Sequence, residues 1–173
     1  QKPYGDDYAY DIYERYAHGE LTDADSIKVN RDDVYYTVGG RAVYGGGGII
    51  PDIFVPMDTT RASTFYIQCS KKATTMRFAS AMFDKYRSEL IQIDDFGQLE
   101  RWLDAHHLDR QFLDYAAAKD GLKPGPGEWK ESEEYMMVQI KALVGRYSKV
   151  GEEAFYRFYV GIDRTLQVAL HGE

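Results

Sequence analysis

The spacing of apolar positions changes near residue 57 and divides the chain in two. Before that point the pattern is short-ranged. Tyr8, Ile12 and Tyr16 recur every fourth residue and predict a helix, with Gly5-Asp6-Asp7 to open it and His18-Gly19 to close it. A helix of about three turns needs a surface to dock on. Residues 20–33 are polar and irregular apart from Ile27-Lys28-Val29. Val34-Tyr35-Tyr36-Thr37-Val38 and Arg41-Ala42-Val43-Tyr44 then flank Gly39-Gly40. Two β-rich runs across two glycines predict a hairpin with a two-residue turn, since glycine takes positive φ freely. In that register Tyr36 faces Val43 and Tyr35 faces Tyr44. The glycine run 45–48 predicts a sharp bend into a buried strand over 49–56, with Pro51 and Pro56 near its ends.

From Asp58 the period lengthens to that of helices. Asp58-Thr59-Thr60 offers a cap, and Phe65-Tyr66-Ile67 begins a helix or short strand. Thr75, Ala79, Met82, Phe83 and Tyr86 form the next stripe. Asp95 with Gln98 resembles a capping box ahead of Leu99, Trp102 and Leu103. Leu108, Phe112, Tyr115 and Ala116 predict another helix, stopped by Lys119-Asp120-Gly121. Lys123-Pro124-Gly125-Pro126-Gly127 is the clearest linker. Ser132 is expected to cap a helix carrying Met136, Ile140, Leu143 and Tyr147. Phe155, Phe158, Tyr159, Ile162, Leu166 and Leu170 predict one last, longest stripe after a turn at 148–152. The expected fold class is α+β and mainly helical: a small antiparallel β segment on the N-terminal side over 1–57, then a helical domain over 58–173.

The 173 residues are 44% hydrophobic and 14% aromatic, enough for a packed core. The formal charge of −7, without a Lys/Arg-rich run, argues against nucleic acid as a partner. No apolar run reaches the length of a membrane-spanning helix, about 20 residues. Cys69 is the only cysteine, so no intramolecular disulfide is open to it, and its apolar flanks predict a small buried side chain.

Four constellations invite chemistry. His106-His107, with Asp104 and Asp109, suggests a metal, but neighbours on a helix point about 100° apart and cannot chelate one ion well. A solvated junction between two helices is the expected reading. His18 and His171 read as partners of helix C-termini. The serines lie in neither a Gly-x-Ser-x-Gly elbow nor a Ser-x-x-Lys motif, and Ser70-Lys71-Lys72 reads as a helix-face cluster. The 45–48 glycine run lacks the Gly-Lys-Ser/Thr of a phosphate loop, and the acidic run 23–33 lacks calcium-loop order. The residues therefore assign no catalytic, cofactor-binding or metal-binding position and no cofactor.

Gly39-Gly40-Arg41-Ala42-Val43-Tyr44-Gly45-Gly46-Gly47-Gly48-Ile49-Ile50-Pro51-Asp52-Ile53 resembles the Gly-Arg…Gly-Gly-Ile-x-Pro-Asp segment of carboxyl-terminal processing (tail-specific) serine peptidases. The four-glycine form, with Gly19-Glu20-Leu21 and Asp25-Ser26-Ile27 before it, is similar to Bacteroidetes-type members. Gln1-Lys2-Pro3-Tyr4 resembles the segment after a Tyr-Thr-Pro-Ser-Gly-Arg strand in that family, and Ala154-Phe155-Tyr156…Asp163 resembles its tail. The resemblance implies a serine nucleophile with a lysine base, and a substrate-presenting PDZ domain, all upstream of Gln1. None of these motifs is matched here. The implied picture is an excised C-terminal region, inactive alone, of an enzyme that cuts proteins near their C-termini in the periplasm or cell envelope. The region would brace the core, form homo-oligomers or contact substrate. An independent helical protein-binding or oligomerisation module is the alternative.

Overall fold

The computed structural model describes residues 10–27, 32, 34–45 and 52–171. The chain divides into two units, Gln1–Asp58 and Thr59–Glu173. The mainly helical α+β class is as expected: eight α-helices and one two-stranded antiparallel sheet among the described residues.

In the first unit, α1 runs Asp11–Ala17 and closes with Gly19 at φ +81°. Tyr8 lies outside the described residues. Ile12 and Tyr16 are each half exposed, and α1 buries nothing. A 3-10 turn follows at Ala24–Ser26, where the Asp23 carboxylate accepts from the Asp25 N–H at 3.0 Å. Strands β1 (Val34–Tyr36) and β2 (Ala42–Tyr44) pair with Val34 opposite Tyr44, Tyr35 opposite Val43 and Tyr36 opposite Ala42. This corrects the expected register by one residue. The Thr37 N–H donates to Arg41 O and the Gly40 N–H to Thr37 O, so the loop holds three residues, Val38-Gly39-Gly40. Of its two glycines only Gly40 takes positive φ, +77°, as a bulged three-residue loop requires. Thr37 Oγ1 also accepts from the Arg41 N–H at 3.1 Å, which holds the wider loop.

The glycines at 46–48 and the start of the expected strand at 49–51 lie outside the described residues. Residues 52–56 are a bend and irregular chain rather than strand, and Ile53 is exposed. The Met57 N–H donates to Leu21 O at 2.9 Å. None of the described residues up to Asp58 is buried.

The second unit holds the core. Helix α2 (Thr64–Lys71) is capped by Ser63, not by 58–60: Ser63 Oγ accepts from the Tyr66 N–H at 3.2 Å. Then come α3 (Thr74–Leu90), α4 (Phe96–Ala105), α5 (Leu108–Asp120), α6 (Glu128–Gly145), α7 (Glu152–Val160) and α8 (Arg164–His171). Asp95 caps α4 by accepting from the Gln98 N–H at 2.8 Å, as half of the predicted box. Phe65, Phe78 and Phe112 meet edge to face at the centre, with Leu99, Leu103, Met136, Ile140 and Val144 around them. The 123–127 stretch joins α5 to α6, and both helices pack into the same core.

Two expectations about the last helices are corrected. Ser132 lies inside α6, which opens four residues earlier where Gly127 (φ +84°) turns the chain. The last stripe is two helices, because the Asp163 carboxylate accepts from the Leu166 N–H at 2.9 Å and starts α8 anew.

Candidate functional site

The helix α4 ends at His106 and α5 begins after His107, whose φ of +46° makes the corner. That reversal sends the two imidazoles to different places. His106 is half-buried. Its ring stacks on Trp102 at a centroid separation of 3.8 Å, and Tyr86 meets it edge-on at 4.7 Å. Its Nδ1 lies 2.6 Å from Trp102 O. A carbonyl only accepts, so Nδ1 carries the hydrogen and Nε2 faces Glu89, 3.7 Å away. The same Glu89 oxygen accepts from Trp102 Nε1 at 2.8 Å. Gln111 Nε2 donates to His106 O at 2.6 Å, and Gln111 Oε1 accepts from Lys85 at 2.9 Å. His106 is therefore part of a stacked, hydrogen-bonded cluster rather than a solvated junction.

His107 is exposed and borders a shallow cleft with Leu103, Asp104, Leu108, Asp109, Met137 and Lys141. Lys141 Nζ pairs with Asp104 across its rim at 2.7 Å. Asp104, Asp109 and His107 thus share a rim, while His106 faces Glu89. Among the described residues no group of three His, Cys, Asp or Glu side chains converges to hold a metal. His18 is the C-cap of α1, and His171 is the last residue of α8.

The buried hydroxyls are engaged in structure. Ser132 Oγ donates to Glu128 O at 2.9 Å, so the 2.9 Å contact between Ser63 and Ser132 has Ser63 as its donor. That pair ties the cap of α2 to the first turns of α6. Ser70 is exposed.

The residue that sequence reasoning missed is Asp120. Its carboxylate accepts from Thr74 Oγ1 at 2.7 Å and from Arg77 Nη2 at 2.7 Å, and its carbonyl accepts from Lys72 Nζ at 3.0 Å. It joins the end of α5 to the corner between α2 and α3, where Ala73 takes φ +52°. The hydrogen bonds from Arg77, then Thr74, hold its carboxyl below the usual carboxylate range. Nearby, burial first and the Asp120 charge second push the Cys69 thiol up to about 11. The only sequence signal for Asp120 was its place before a helix-ending glycine.

In the first unit, Arg41 Nη1 and Asp52 Oδ2 pair at 2.7 Å. These are the arginine and aspartate on either side of the glycine run within the Gly39–Ile53 motif. Both are exposed, and an exposed pair contributes about 0–1 kcal/mol. No family model, curated protein or solved structure matches this chain.

Proposed function

We propose that this chain is the C-terminal accessory region of a serine endopeptidase of the Ser/Lys type, which cleaves proteins near their C-termini in the periplasm or cell envelope. The observation that carries this reading is the contrast between the units. The second builds its own core. The first has a hairpin, a helix and bracketed motif residues, yet buries none of its described side chains. Tyr10, Tyr13, Tyr35 and Tyr36 are more than half exposed there. An isolated two-stranded hairpin is marginal in water, so these elements suit a larger sheet that covers them. The Gly39–Ile53 resemblance names that sheet as the peptidase core, with catalysis supplied by a serine activated by lysine upstream of Gln1.

The second reading, an independent helical module that binds protein, is favoured by the self-contained core of Thr59–Glu173. The test compares this chain with the same chain joined to its upstream region, each against an unstructured protein substrate. Cleavage by the extended protein alone, lost when the upstream serine is changed to alanine, is the expected result. Cleavage by neither protein overturns the peptidase reading and leaves the module. Cleavage by this chain alone overturns its accessory role.

A further inference from the structure

We propose that the corner where α2 and α5 end is a self-association surface whose occupant is the acidic N-terminal unit of a second copy. Lys72 and Arg77 meet Asp120 at this corner, and Lys71, Lys119 and Lys123 lie within three residues of Lys72 or Asp120 along the chain. The Asp120 side chain is only 8% exposed and is already held by Arg77 and Thr74. Lys71, Lys119 and Lys123 are exposed and have no ion-pair partner among the described residues. Elsewhere on the same unit Arg61, Arg87, Lys141, Arg146 and Arg157 each have a carboxylate partner, and the exposed Arg101, Arg110, Lys130, Lys149 and Arg164, which have none among the described residues, each stand on a different element.

Helix C-termini attract cations, which accounts for Lys71 and Lys119 in the last turns of α2 and α5. It does not account for Lys123, beyond the end of α5. Counting about half a negative charge for each helix end, the corner keeps an excess of about two to three positive charges. Ile67, one turn before Lys71, and Met76, beside Arg77, add 42% and 63% exposed apolar side chains.

The complementary surface is in the same chain. Residues 1–58 hold eleven Asp and Glu against five Lys and Arg, a net −6 of the chain's −7. They also carry the exposed Tyr10, Tyr13, Tyr16, Tyr35 and Tyr36. A second copy therefore offers what the corner lacks, negative charge beside apolar surface, and electrostatic matching of this kind steers and registers association. The charge counted here includes Arg41 and Asp52 of the Gly39–Ile53 motif, but the inference needs no upstream catalytic region and so does not rest on the peptidase reading.

The experiment is sedimentation equilibrium of the full chain. Self-association is expected at about 0.05 M salt and should weaken about tenfold or more by about 0.5 M, where screening is nearly complete over contact distances. The triple change Lys71→Gln/Lys119→Gln/Lys123→Gln should weaken it about tenfold at low salt. So should Asp23→Asn/Asp25→Asn, which keeps the side-chain cap of the 3-10 turn. A charge-matched control, Arg101→Gln/Lys130→Gln/Lys149→Gln, should leave it unchanged, and thermal melts report that every variant folds. A chain that stays monomeric at low salt overturns the proposal. So does a control that weakens association as much as the corner triple, or an aspartate pair that leaves it unchanged.

Discussion

Asp120 shows how one residue can join three helices. Its carboxylate accepts from Thr74 and Arg77 of α3, and its backbone carbonyl accepts from Lys72, the cap of α2. A carboxyl held below its usual range contributes stability above that range, and the contribution disappears as pH falls through the depressed value. Asp120→Asn should therefore unfold at lower denaturant than the parent at neutral pH, and the gap should narrow in acid well below the usual carboxylate range. Urea titrations at both pH values check this. A gap that persists in acid would mean that the asparagine disturbs packing rather than charge. These two partners were invisible in the sequence, because Thr74 and Arg77 lie more than 40 residues from Asp120 and share no periodicity with it.

At the scale of elements, Gly145 sets how closely α6 and α7 pack. A β-carbon built there would lie 3.0 Å from Leu99 Cδ2 and 3.1 Å from Ala154 Cβ. Both neighbours are fully buried, and the second is fixed to a helix backbone. Replacing a helical glycine gains at most about 1 kcal/mol of propensity, while overpacking costs about 1–3 kcal/mol and a branched residue adds further atoms. Gly145→Val should lower unfolding free energy by about 1–3 kcal/mol, measured by chemical denaturation. An unchanged midpoint would show that Leu99 and α7 yield freely.

Most helices were legible because buried positions such as Ala79, Leu99, Phe112, Met136 and Ile140 recur at helical spacing. The boundaries were not. A serine before an apolar run looks like a cap, but Ser132 is an interior residue whose hydroxyl returns to Glu128 O, a local bond that helices tolerate. The true start depends on Gly127 and on Glu128, whose carboxylate accepts from the Gly125 N–H at 2.7 Å. Two glycines likewise suggested a two-residue turn, while the Thr37 hydroxyl drew Val38 into a longer loop. Spacing reports which faces are apolar; it does not report which side chain captures a free N–H.

For the whole molecule, the two units differ in what holds them. Every buried side chain among the described residues belongs to the second unit, from Ser63 to Ala154. Thr59–Glu173 alone should therefore melt cooperatively within about 4 °C of the full chain, the shift expected for about 1 kcal/mol or more. Gln1–Asp58 alone should show no cooperative transition, since it lacks the core that a short segment needs. Circular dichroism melts of the two pieces decide this, and a cooperative melt of Gln1–Asp58 would contradict the assignment of its surfaces to a covering partner. The functional resemblance, by contrast, rests on the one stretch where glycine and proline outnumber periodic apolar residues, so patterning alone had little to say there.

The centre of the second unit also holds Cys69, fully enclosed and with its thiol raised to about 11. An alkylating reagent reacts with the thiolate and must reach it, so it meets this sulfur only when the surrounding helices part. No other cysteine competes for the label. The chain thus carries a built-in chronometer: the rate at which one sulfur becomes tagged under native conditions measures how often the helical domain opens, without denaturant or added mutation.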